Sequence, residues 1–257
     1  MGLLVGAVLL LSAGAAIAAG SGSSPPAPNP RGVGGRWKVL LDDEFDRASL
    51  AGTRFTTGWP PAGAVAAVAG PTVDVNPGPV CDDPGQVTVA HGELDLTLLS
   101  HPVRCGGVTQ PYATGLVTTK FTFNYRYGFA EARIWVPGSS TIADWPTWWA
   151  LGYHWPRDGE IDILEGIGGV ACWHFHNVLG AFGSCTKRPI AGGWHTFGSD
   201  WEPGSITWYY DGHVVGRVTT GITRDPMYLV LGLSPGQQGL VTPAVQRIHY
   251  VRVWQRG

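Results

Sequence analysis

The chain has 257 residues, of which only 14% are charged, and a formal net charge of −2 with a pI near 6.4. This charge argues against an electrostatically held partner such as nucleic acid or an anionic membrane surface, and it suits a neutral ligand. The low charged fraction, together with 38 Gly and 20 Pro, favours β-structure with long loops over a helical protein. A core of this size rarely needs as many as 12 Trp, so we expect some indoles to line a surface groove.

The first 35 residues carry the features of an exported chain. Residues 1–19 form an apolar run, and Ala16-Ile17-Ala18 resembles a signal-peptide cleavage site. No Lys or Arg precedes the run, so an uncleaved membrane anchor is the alternative. Residues 20–35 have no apolar period and predict a disordered Gly/Ser/Pro linker. We therefore expect a secreted or envelope-associated protein with a single domain over residues 36–257.

Beyond the linker, short alternating or apolar runs are separated by Gly, Pro, Asn and Asp, a pattern typical of strands. Asp211-Gly212 predicts a hairpin turn between Ile206–Tyr210 and His213–Val218. No sustained helical period is visible. The sequence predicts an all-β domain, a two-sheet antiparallel β-sandwich or jelly roll of concanavalin-like architecture. The other predicted strands are Trp37–Leu41, Val87–Ala90, Leu94–Leu99, Gly115–Phe123, Phe129–Pro137, Thr147–Gly152, Glu160–Glu165, Trp194–Trp201, Met227–Leu233 and Ile248–Gln255.

Four cysteines, all beyond the linker, predict disulfide bonds. An even count in an exported chain is typical of disulfides, and four cysteines allow three pairings. No C-x-x-C pair occurs, which argues against a structural zinc site or a thioredoxin-like redox site. We favour Cys81 with Cys105 and Cys172 with Cys185, because each pairing closes a local loop.

One predicted strand carries three acids. Glu160 and Asp162 are two residues apart and share a face. Glu165 would face the opposite side unless one extra residue forms a β-bulge, which would bring all three acids to one face. The alternative is an exposed edge strand with scattered acids, with or without bound calcium. That alternative does not explain the aliphatic residues between the acids, which indicate a central strand.

Crowded carboxyl groups have a known chemical use. Mutual repulsion and partial burial raise the pKa of one group and leave its neighbour ionised, which separates an acid from a nucleophile. In retaining glycosidases the two groups lie about 5–5.5 Å apart, a spacing that neighbouring positions on a bulged strand can supply. The residues themselves therefore indicate a carboxylate-based glycosidase.

The strand resembles the active-site signature of glycoside hydrolase family 16 in its bulged form, E-x-D-x-x-E. Further segments resemble the laminarinase (endo-1,3-β-glucanase) branch of that family, and the resemblance runs through nearly the whole chain after the linker. These segments are Trp37 with Asp43–Asp46, Tyr112–Gly115, Tyr127–Ile134, Trp145–Trp149, Trp194–Phe197 and Tyr250–Trp254.

The resemblance implies roles for the three acids. Glu160 would be the nucleophile, Asp162 a helper that tunes and orients it, and Glu165 the acid/base. It also implies hydrolysis of internal β-1,3 linkages of a β-glucan with retention, by a protein that needs no cofactor. We expect a polysaccharide as the partner and a monomer as the working form.

Five further residues are candidates for sugar binding. The resemblance places Trp145, Trp149 and Trp155 against sugar rings, and Trp145 and Trp149 share a face because they are four apart on a strand. The alternative for each is a core position. His174 and His176 also share a face; we expect one of them to contact a sugar hydroxyl, with metal binding as the alternative.

The sequence departs from the family pattern at a calcium site. Many bacterial members bind a structural calcium through an Asp just before the last strand, where this chain has His249. Glu44 could still contribute an oxygen, but calcium requires several oxygen ligands. We predict no metal.

Other functions remain open at this stage. A transglycosylase of the same fold would pass the glycosyl group to another sugar. Galactan or mixed-linkage glucan are alternative substrates, although the unbulged E-x-D-x-E pattern of lichenases is absent. A non-catalytic lectin on the same sandwich is a third alternative, but such lectins lose the carboxylates that this chain keeps.

Overall fold

A computed structural model of the protein describes residues 28–61, 63–73, 79–236 and 240–257. The predicted signal segment at residues 1–19 and the first part of the predicted linker lie outside these residues. Within the described part of the chain, no helix has the length and apolar character needed to cross a membrane. The end of the predicted linker is not free of the domain. The backbone N–H of Arg31 donates to Glu131 Oε2 at 3.0 Å, and its guanidinium donates to Thr196 Oγ1 at 3.2 Å.

The regular secondary structure of the described residues consists of strands, apart from one short 3₁₀ turn at Pro84–Gln86. The strands are β1 Trp37–Asp43, β2 Thr56–Thr57, β3 Thr72–Val73, β4 Val80–Asp82, β5 Val87–Ala90, β6 Glu93–Leu99, β7 Val103–Cys105, β8 Val108–Gln110, β9 Tyr112–Thr114, β10 Leu116–Thr118, β11 Gly128–Val136, β12 Trp145–Gly152, β13 Glu160–Ile167, β14 Val170–Asn177, β15 Gly180–Cys185, β16 Gly193–Glu202, β17 Ser205–Tyr210, β18 His213–Val218, β19 Met227–Ser234 and β20 Ala244–Arg256.

Two sheets make up the sandwich. The larger has eleven strands in the order β18-β17-β16-β11-β20-β6-β9-β4-β3, with β1 paired to β20 and β5 to β6. The smaller has seven strands in the order β15-β14-β13-β12-β19-β10-β2, and β7 and β8 form a separate hairpin. Named strands pair antiparallel except for the short β4–β9 pair, which is parallel. The predicted two-sheet sandwich is therefore confirmed.

The predicted strand Gly115–Phe123 is too long. The strand β10 ends at Thr118, and the chain then turns: the backbone N–H of Phe123 donates to the Thr119 carbonyl, and the Thr119 hydroxyl donates to the Phe123 carbonyl at 2.8 Å. Local hydrogen bonds from threonine compete with a strand ladder, which explains why the strand ends here.

The main core lies between the two sheets. On β12 and β13 the side chains of Trp148, Ile161, Ile163 and Leu164 are fully buried in it. A smaller apolar cluster lies on the outer face of the seven-stranded sheet and consists of Leu116, Trp149, Leu151, Tyr228 and Val230. Alternation along each strand separates the two groups, because successive side chains point to opposite faces.

Both predicted disulfides are confirmed. Cys81 bonds to Cys105, and Cys172 bonds to Cys185, so that the second bridge joins β14 to β15 beside the edge of the seven-stranded sheet. No cysteine among the described residues is free.

A buried indole supports the middle of β13. Trp208, on β17 of the opposite sheet, is fully buried, and its Nε1–H donates to the Asp162 carbonyl at 2.7 Å. That carbonyl lies at the point where the pairing of β13 with both neighbours shifts register. A ladder interrupted in this way leaves backbone groups without strand partners, and an inserted side-chain donor satisfies one of them.

Replacement of this indole should cost more stability than its size alone explains. Trp208→Phe leaves the Asp162 carbonyl without its donor, which we expect to lower the free energy of unfolding by about 1–3 kcal/mol beyond a matched control. The control is Trp201→Phe, because Trp201 is equally buried but its Nε1 has no hydrogen-bond partner among the described residues. Urea denaturation of both variants measures the difference, and equal losses would contradict this role for the indole.

Candidate active site

The three acids of β13 lie together on the outer face of the seven-stranded sheet. Across β12, Asp162 pairs with Trp149 and Glu165 with Thr147, so three positions on β12 face four on β13. The same extra residue is present in the pairing with β14. The predicted β-bulge is confirmed, and it returns Glu165 to the face of Glu160 and Asp162.

The turn that leads into β13 depends on a glycine. Gly159 has a φ of +88°, and a Cβ at this position would lie 2.6 Å from Thr223 Oγ1 and 3.1 Å from the Phe175 ring. Before it, the buried Asp158 accepts hydrogen bonds from the backbone N–H of His154 at 3.0 Å and the Nε of Arg157 at 2.8 Å. The close packing around Gly159 and the hydrogen bonds of Asp158 therefore fix the turn from which Glu160 enters the sheet.

The two histidines of β14 each approach an acid of β13 diagonally. His174 is opposite Asp162 in the register, but its Nδ1 lies 2.6 Å from Glu165 Oε2. His176 is opposite Glu160, but its Nε2 lies 3.0 Å from Asp162 Oδ2. The His176 contact is within ion-pair distance but lacks the alignment of a hydrogen bond. The prediction that the two histidines share a face is confirmed, and their position against the acids of β13 is a new observation.

A glycine on the edge strand makes room for His174. Gly183 of β15 is opposite His174, and a Cβ there would lie 2.5 Å from the His174 ring and 2.1 Å from the Trp173 carbonyl. Any larger residue at this position would displace the imidazole from Glu165.

Burial and mutual charge control the acids. Burial, followed by the charge of Asp162, raises the pKa of Glu160 to about 8, whereas His176 and a hydrogen bond from the Trp155 side chain oppose the rise. Burial, followed by the charge of Glu165, holds the pKa of Asp162 well above its usual range. Two adjacent carboxyl groups with raised pKa values share a proton around neutral pH. Asp162 is the more deeply buried member, at 5% exposure, and is the better place for that proton.

The third acid is paired with a base. The hydrogen bond to Glu165 raises the pKa of His174 above its ordinary value of 6.5, although burial acts in the opposite direction. Glu165 and His174 therefore form a unit that carries a transferable proton, separate from the proton shared by Glu160 and Asp162.

The predicted aromatic residues differ in what they offer to a ligand. Trp155 is 59% exposed and stands beside Glu160. Trp145 is half-buried on the same side of β12 as Trp149. Trp149 is only 5% exposed, because the ring of Trp59 stacks on it at 5.7 Å with an angle of 9° between the planes. Trp149 therefore exposes little of its ring, because the half-buried Trp59 covers it, and its predicted contact with a sugar stays a prediction.

Sequence reasoning missed both Trp59 and its neighbour Lys120. The ammonium group of Lys120 lies 5.7 Å from the Trp59 ring centre and 5.6 Å from that of Tyr228. Register across β19, β12 and β13 places Tyr228, whose ring Lys120 approaches, in one row with Leu151 and Glu160. The only available signal was the sequence Gly58-Trp59-Pro60-Pro61, an aromatic residue in a stiff loop.

Metal ligation was weighed at two places. One donor atom from each of Asp162, His174 and His176 falls within 4.8 Å of the others. However, His174 Nδ1 lies against Glu165 and His176 Nε2 lies against Asp162. These two contacts explain the positions of both rings without a metal ion. At the expected calcium site, Arg252 binds both Asp42 and Glu44. A guanidinium on these oxygens does not fit a cation there.

The family of the chain follows from a direct match. A family model described as Glycosyl hydrolases family 16 matches residues 80–252, well over half of the chain. The chain belongs to this family. The matched region runs from β4 into β20 and includes the acids of β13 and the histidines of β14.

Relatives of this family 16 chain are known from bacteria. Endo-1,3-1,4-beta-glycanase ExsH of Rhizobium meliloti (strain 1021) is 29% identical over 205 residues, which cover 72% of this chain and 41% of that protein. Endo-1,3-1,4-beta-glycanase EglC of the same strain is 28% identical over the same coverage. The chain thus spans 41% of the length of these two relatives.

Solved structures share the fold. The catalytic domain of an endo-1,3-beta-glucanase (laminarinase) from Thermotoga petrophila RKU-1 has a TM-score of 0.71 and 21% identity, covering 86% of this chain and 99% of that one. The endo-beta-1,3-glucanase from Pyrococcus furiosus has a TM-score of 0.70 and 22% identity, covering 85% and 94%. These structures confirm the sandwich architecture.

The hydrogen bond between Glu165 and His174 can be tested on this family 16 protein in the absence of any substrate. We expect the imidazole of His174 to titrate above 6.5, and Glu165→Gln to lower its midpoint by roughly one unit or more, because the anion that stabilises the imidazolium is gone. Long-range ¹H–¹⁵N NMR follows the titration. His195, whose pKa is raised by its hydrogen bond to Asp211, serves as a control that should not move. An unchanged His174 midpoint would refute the pairing.

Proposed function

We propose that the chain is a secreted retaining endo-glycosidase that hydrolyses internal β-1,3 linkages of a β-glucan. The observation that carries the proposal is the bulged strand β13, which places Glu160, Asp162 and Glu165 on one face with two different proton-holding environments. Retaining glycosidases require an ionised nucleophile and a protonated acid at the same time. The two environments meet both requirements.

Glu160 is the nucleophile in this proposal. Its carboxylate attacks the anomeric carbon, and the bond from that carbon to the leaving oxygen breaks. Asp162 keeps the proton that the pair shares and so leaves Glu160 ionised. The Trp155 side chain, hydrogen-bonded to Glu160, restrains the direction of its carboxylate.

Glu165 is the acid and then the base. In the first step it donates to the leaving oxygen the one proton that it shares with its partner His174, 2.6 Å away, and is left as a carboxylate. In the second step Glu165 takes a proton from water as the water attacks the glycosyl–enzyme bond, and Glu160 leaves as a carboxylate. The proton count of the site is the same before and after the cycle.

The aromatic residues suit a neutral glucan. Sugar rings present apolar C–H faces that stack on indoles, and on this face Trp155 is exposed while Trp59 and Trp145 are half-buried. Jelly-roll sheets bind chains across their strands. The row from Glu160 through Leu151 to Tyr228 spans two interstrand spacings, roughly 10 Å, so a glucan bound along it would lie across the strands.

The names of the relatives favour one alternative substrate. ExsH and EglC are named endo-1,3-1,4-beta-glycanases, so a mixed-linkage glucan is the second candidate. Transfer of the glycosyl group to a sugar in place of water, or action on a galactan, would use the same carboxylates. A lectin would not require the paired proton environments. Export and a monomeric working form complete the proposal.

Digestion of laminarin tests the function. The chain from residue 28 onward should release oligosaccharides of several lengths, and ¹H NMR of the first products should show the β-anomer. Glu160→Gln and Glu165→Gln should each lower kcat by about 10³-fold or more, because each removes a group that acts in the transition state. Barley β-glucan and agarose in parallel distinguish the substrates. Folded protein with no product from laminarin would overturn the β-1,3 assignment, and initial α-anomer would overturn retention.

Trp155 should contribute to substrate binding through its ring. Trp155→Ala is expected to lower kcat/KM roughly five- to tenfold, equivalent to about 1–1.4 kcal/mol of lost stacking. Trp155→Phe keeps an aromatic face and should retain most of the affinity, although it loses the hydrogen bond to Glu160. Steady-state kinetics on laminarin measures both. Equal losses in the two variants would indicate that the indole N–H, and not the ring, is what matters.

A further inference from the structure

An ammonium group lies on the same outer face of the seven-stranded sheet as the acids. Lys120 follows the end of β10 by two residues, and its Nζ lies 5.6 Å from the ring centre of Tyr228 and 5.7 Å from that of Trp59. Tyr228 belongs to the small outer apolar cluster, and Trp59 packs against that cluster. The reaction described above makes no use of this cation.

The ammonium group of Lys120 has aromatic neighbours but no acidic one. A third ring, that of Phe121, has its centre 5.9 Å from Nζ. Among the described residues, no carboxylate lies within ion-pair distance of Nζ. Burial lowers the pKa of Lys120, and no neighbouring charge opposes that shift. The cation is therefore held beside three rings without a counter-ion from the described part of the chain.

The backbone around Lys120 is held in place. Its N–H donates to Thr118 Oγ1 at 3.2 Å, and its carbonyl accepts from the Tyr153 hydroxyl at 2.9 Å. The Tyr153 ring packs edge-on against Tyr228 at 5.2 Å, and Asn124 Nδ2 donates to the Tyr153 hydroxyl at 3.3 Å. Lys120, Asn124 and Tyr153 line a shallow depression that is open to solvent. A ligand group that enters this depression meets surroundings that are already ordered, which lowers the cost of binding.

The ring of Tyr228 separates this cation from the acids. Tyr228 is opposite Leu151 of β12, which is opposite Glu160 of β13, so about two interstrand spacings lie between Tyr228 and Glu160. Lys120 follows β10, the strand on the other side of β19. A negative group on a substrate is repelled by the acids near the linkage that is cut, but it is attracted beside Lys120. An anionic substituent therefore fits on a sugar that is bound away from the point of cleavage.

The chemistry of the cation favours an anion over a neutral hydroxyl. An ammonium group that donates to a sugar hydroxyl exchanges one oxygen partner, water, for a similar one, so the net gain is small. A carboxylate adds a full opposite charge, and the attraction is stronger near a protein surface than in bulk water. The rings of Trp59 and Tyr228 keep part of the solvent away from the cation, which increases this advantage.

We propose that Lys120 binds a carboxylate carried by the substrate, so that the natural polymer is a β-glucan with an acidic substituent on some of its sugars. The inference rests on the proposed function, because it names the substrate class of the same face. The carboxylate belongs either to a uronate or to an acidic group attached through a sugar hydroxyl. The formal net charge of −2 agrees with a polymer that carries few such groups, since a densely charged polymer calls for a basic surface.

The first test measures binding in the absence of cleavage. Isothermal titration calorimetry on Glu160→Gln compares untreated laminarin, laminarin in which some primary hydroxyls are oxidised to carboxylates, and the neutral methyl ester of that oxidised polymer. We expect the carboxylated polymer to bind roughly three- to fivefold more tightly than its ester, because only the carboxylate pairs with Lys120. The preference should weaken as salt is added. Laminarin half-esterified with glutaric acid is a further arm, which distinguishes a carboxylate on an attached group from one on the sugar itself.

Substitutions at the lysines identify the residue responsible. Lys120→Met keeps the apolar stem but loses the charge, and it should abolish the preference for the carboxylated polymer. Lys120→Arg restores a cation and should retain most of the preference. Lys38→Met is the matched control, because Lys38 is exposed on β1 in the eleven-stranded sheet, and it should leave the preference intact. Equal affinity of the Lys120 protein for both carboxylated polymers and the ester, or a preference that survives Lys120→Met, would overturn the proposal.

The second test reads the consequence in catalysis. With the active chain, kcat/KM for the carboxylated polymer should exceed that for its ester by about the same factor, and Lys120→Met should remove this ratio. Mass spectrometry of the products should find carboxylated sugars away from the newly formed ends. Carboxylated sugars mainly at those ends would place the anion beside the acids and would overturn the inference.

The two tests separate this inference from the proposed function. A carboxylate preference that depends on Lys120, in a chain that does not cut laminarin, would support the ligand and reject the hydrolysis. Cleavage of laminarin without any such preference would support the function and reject the role of Lys120. A chain that binds none of the polymers would overturn both.

Discussion

The extra residue in β13 is the constraint on which the rest of the site depends. A regular strand from Glu160 to Glu165 would direct Glu165 into the main core, where Trp148 and Leu164 are fully buried. An ionisable group there would be very costly without a partner. The bulge interrupts the backbone hydrogen bonding of the ladder but places the three acids on one face. Trp208 from the opposite sheet replaces part of the lost backbone bonding by donating to the Asp162 carbonyl. The site is therefore supported from the far side of the core as well as by its own sheet.

Three acids on one face repel each other, and β14 supplies the opposing charges. Because the bulge offsets β13 by one residue, each imidazole faces the acid diagonal to its register partner: His174 meets Glu165, and His176 meets Asp162. The offset divides the five titratable groups into a set of three, Glu160, Asp162 and His176, and a pair, Glu165 with His174. Each subset holds its own proton, which is the arrangement that two-step displacement requires.

Much of this arrangement could be predicted from the sequence, and the exceptions have physical causes. The alternation of apolar and polar residues, together with the turn residues, was sufficient to predict the sandwich. The spacing of five residues between Glu160 and Glu165 was sufficient to predict the bulge. The acid partners of His174 and His176 could not be predicted. Knowing that side chains share a face of the sheet does not say whether a side chain contacts the residue directly opposite or the one diagonal to it. The stacking of Trp59 on Trp149 was also inaccessible, since it joins a proline-rich loop to a strand about ninety residues later in the chain, and no local pattern records such a contact. The strand predicted to reach Phe123 ends early because the Thr119 hydroxyl donates a hydrogen bond to the Phe123 carbonyl, which holds the chain in a turn.

The contact of Arg31 has a consequence for how the domain is oriented. Arg31 is bound to Glu131 on β11 and Thr196 on β16, both in the eleven-stranded sheet, whereas the acids lie on the outer face of the other sheet. The polypeptide that precedes Arg31 therefore joins the domain at its back. A molecule held at a surface through that end would direct the face that carries the three acids away from that surface.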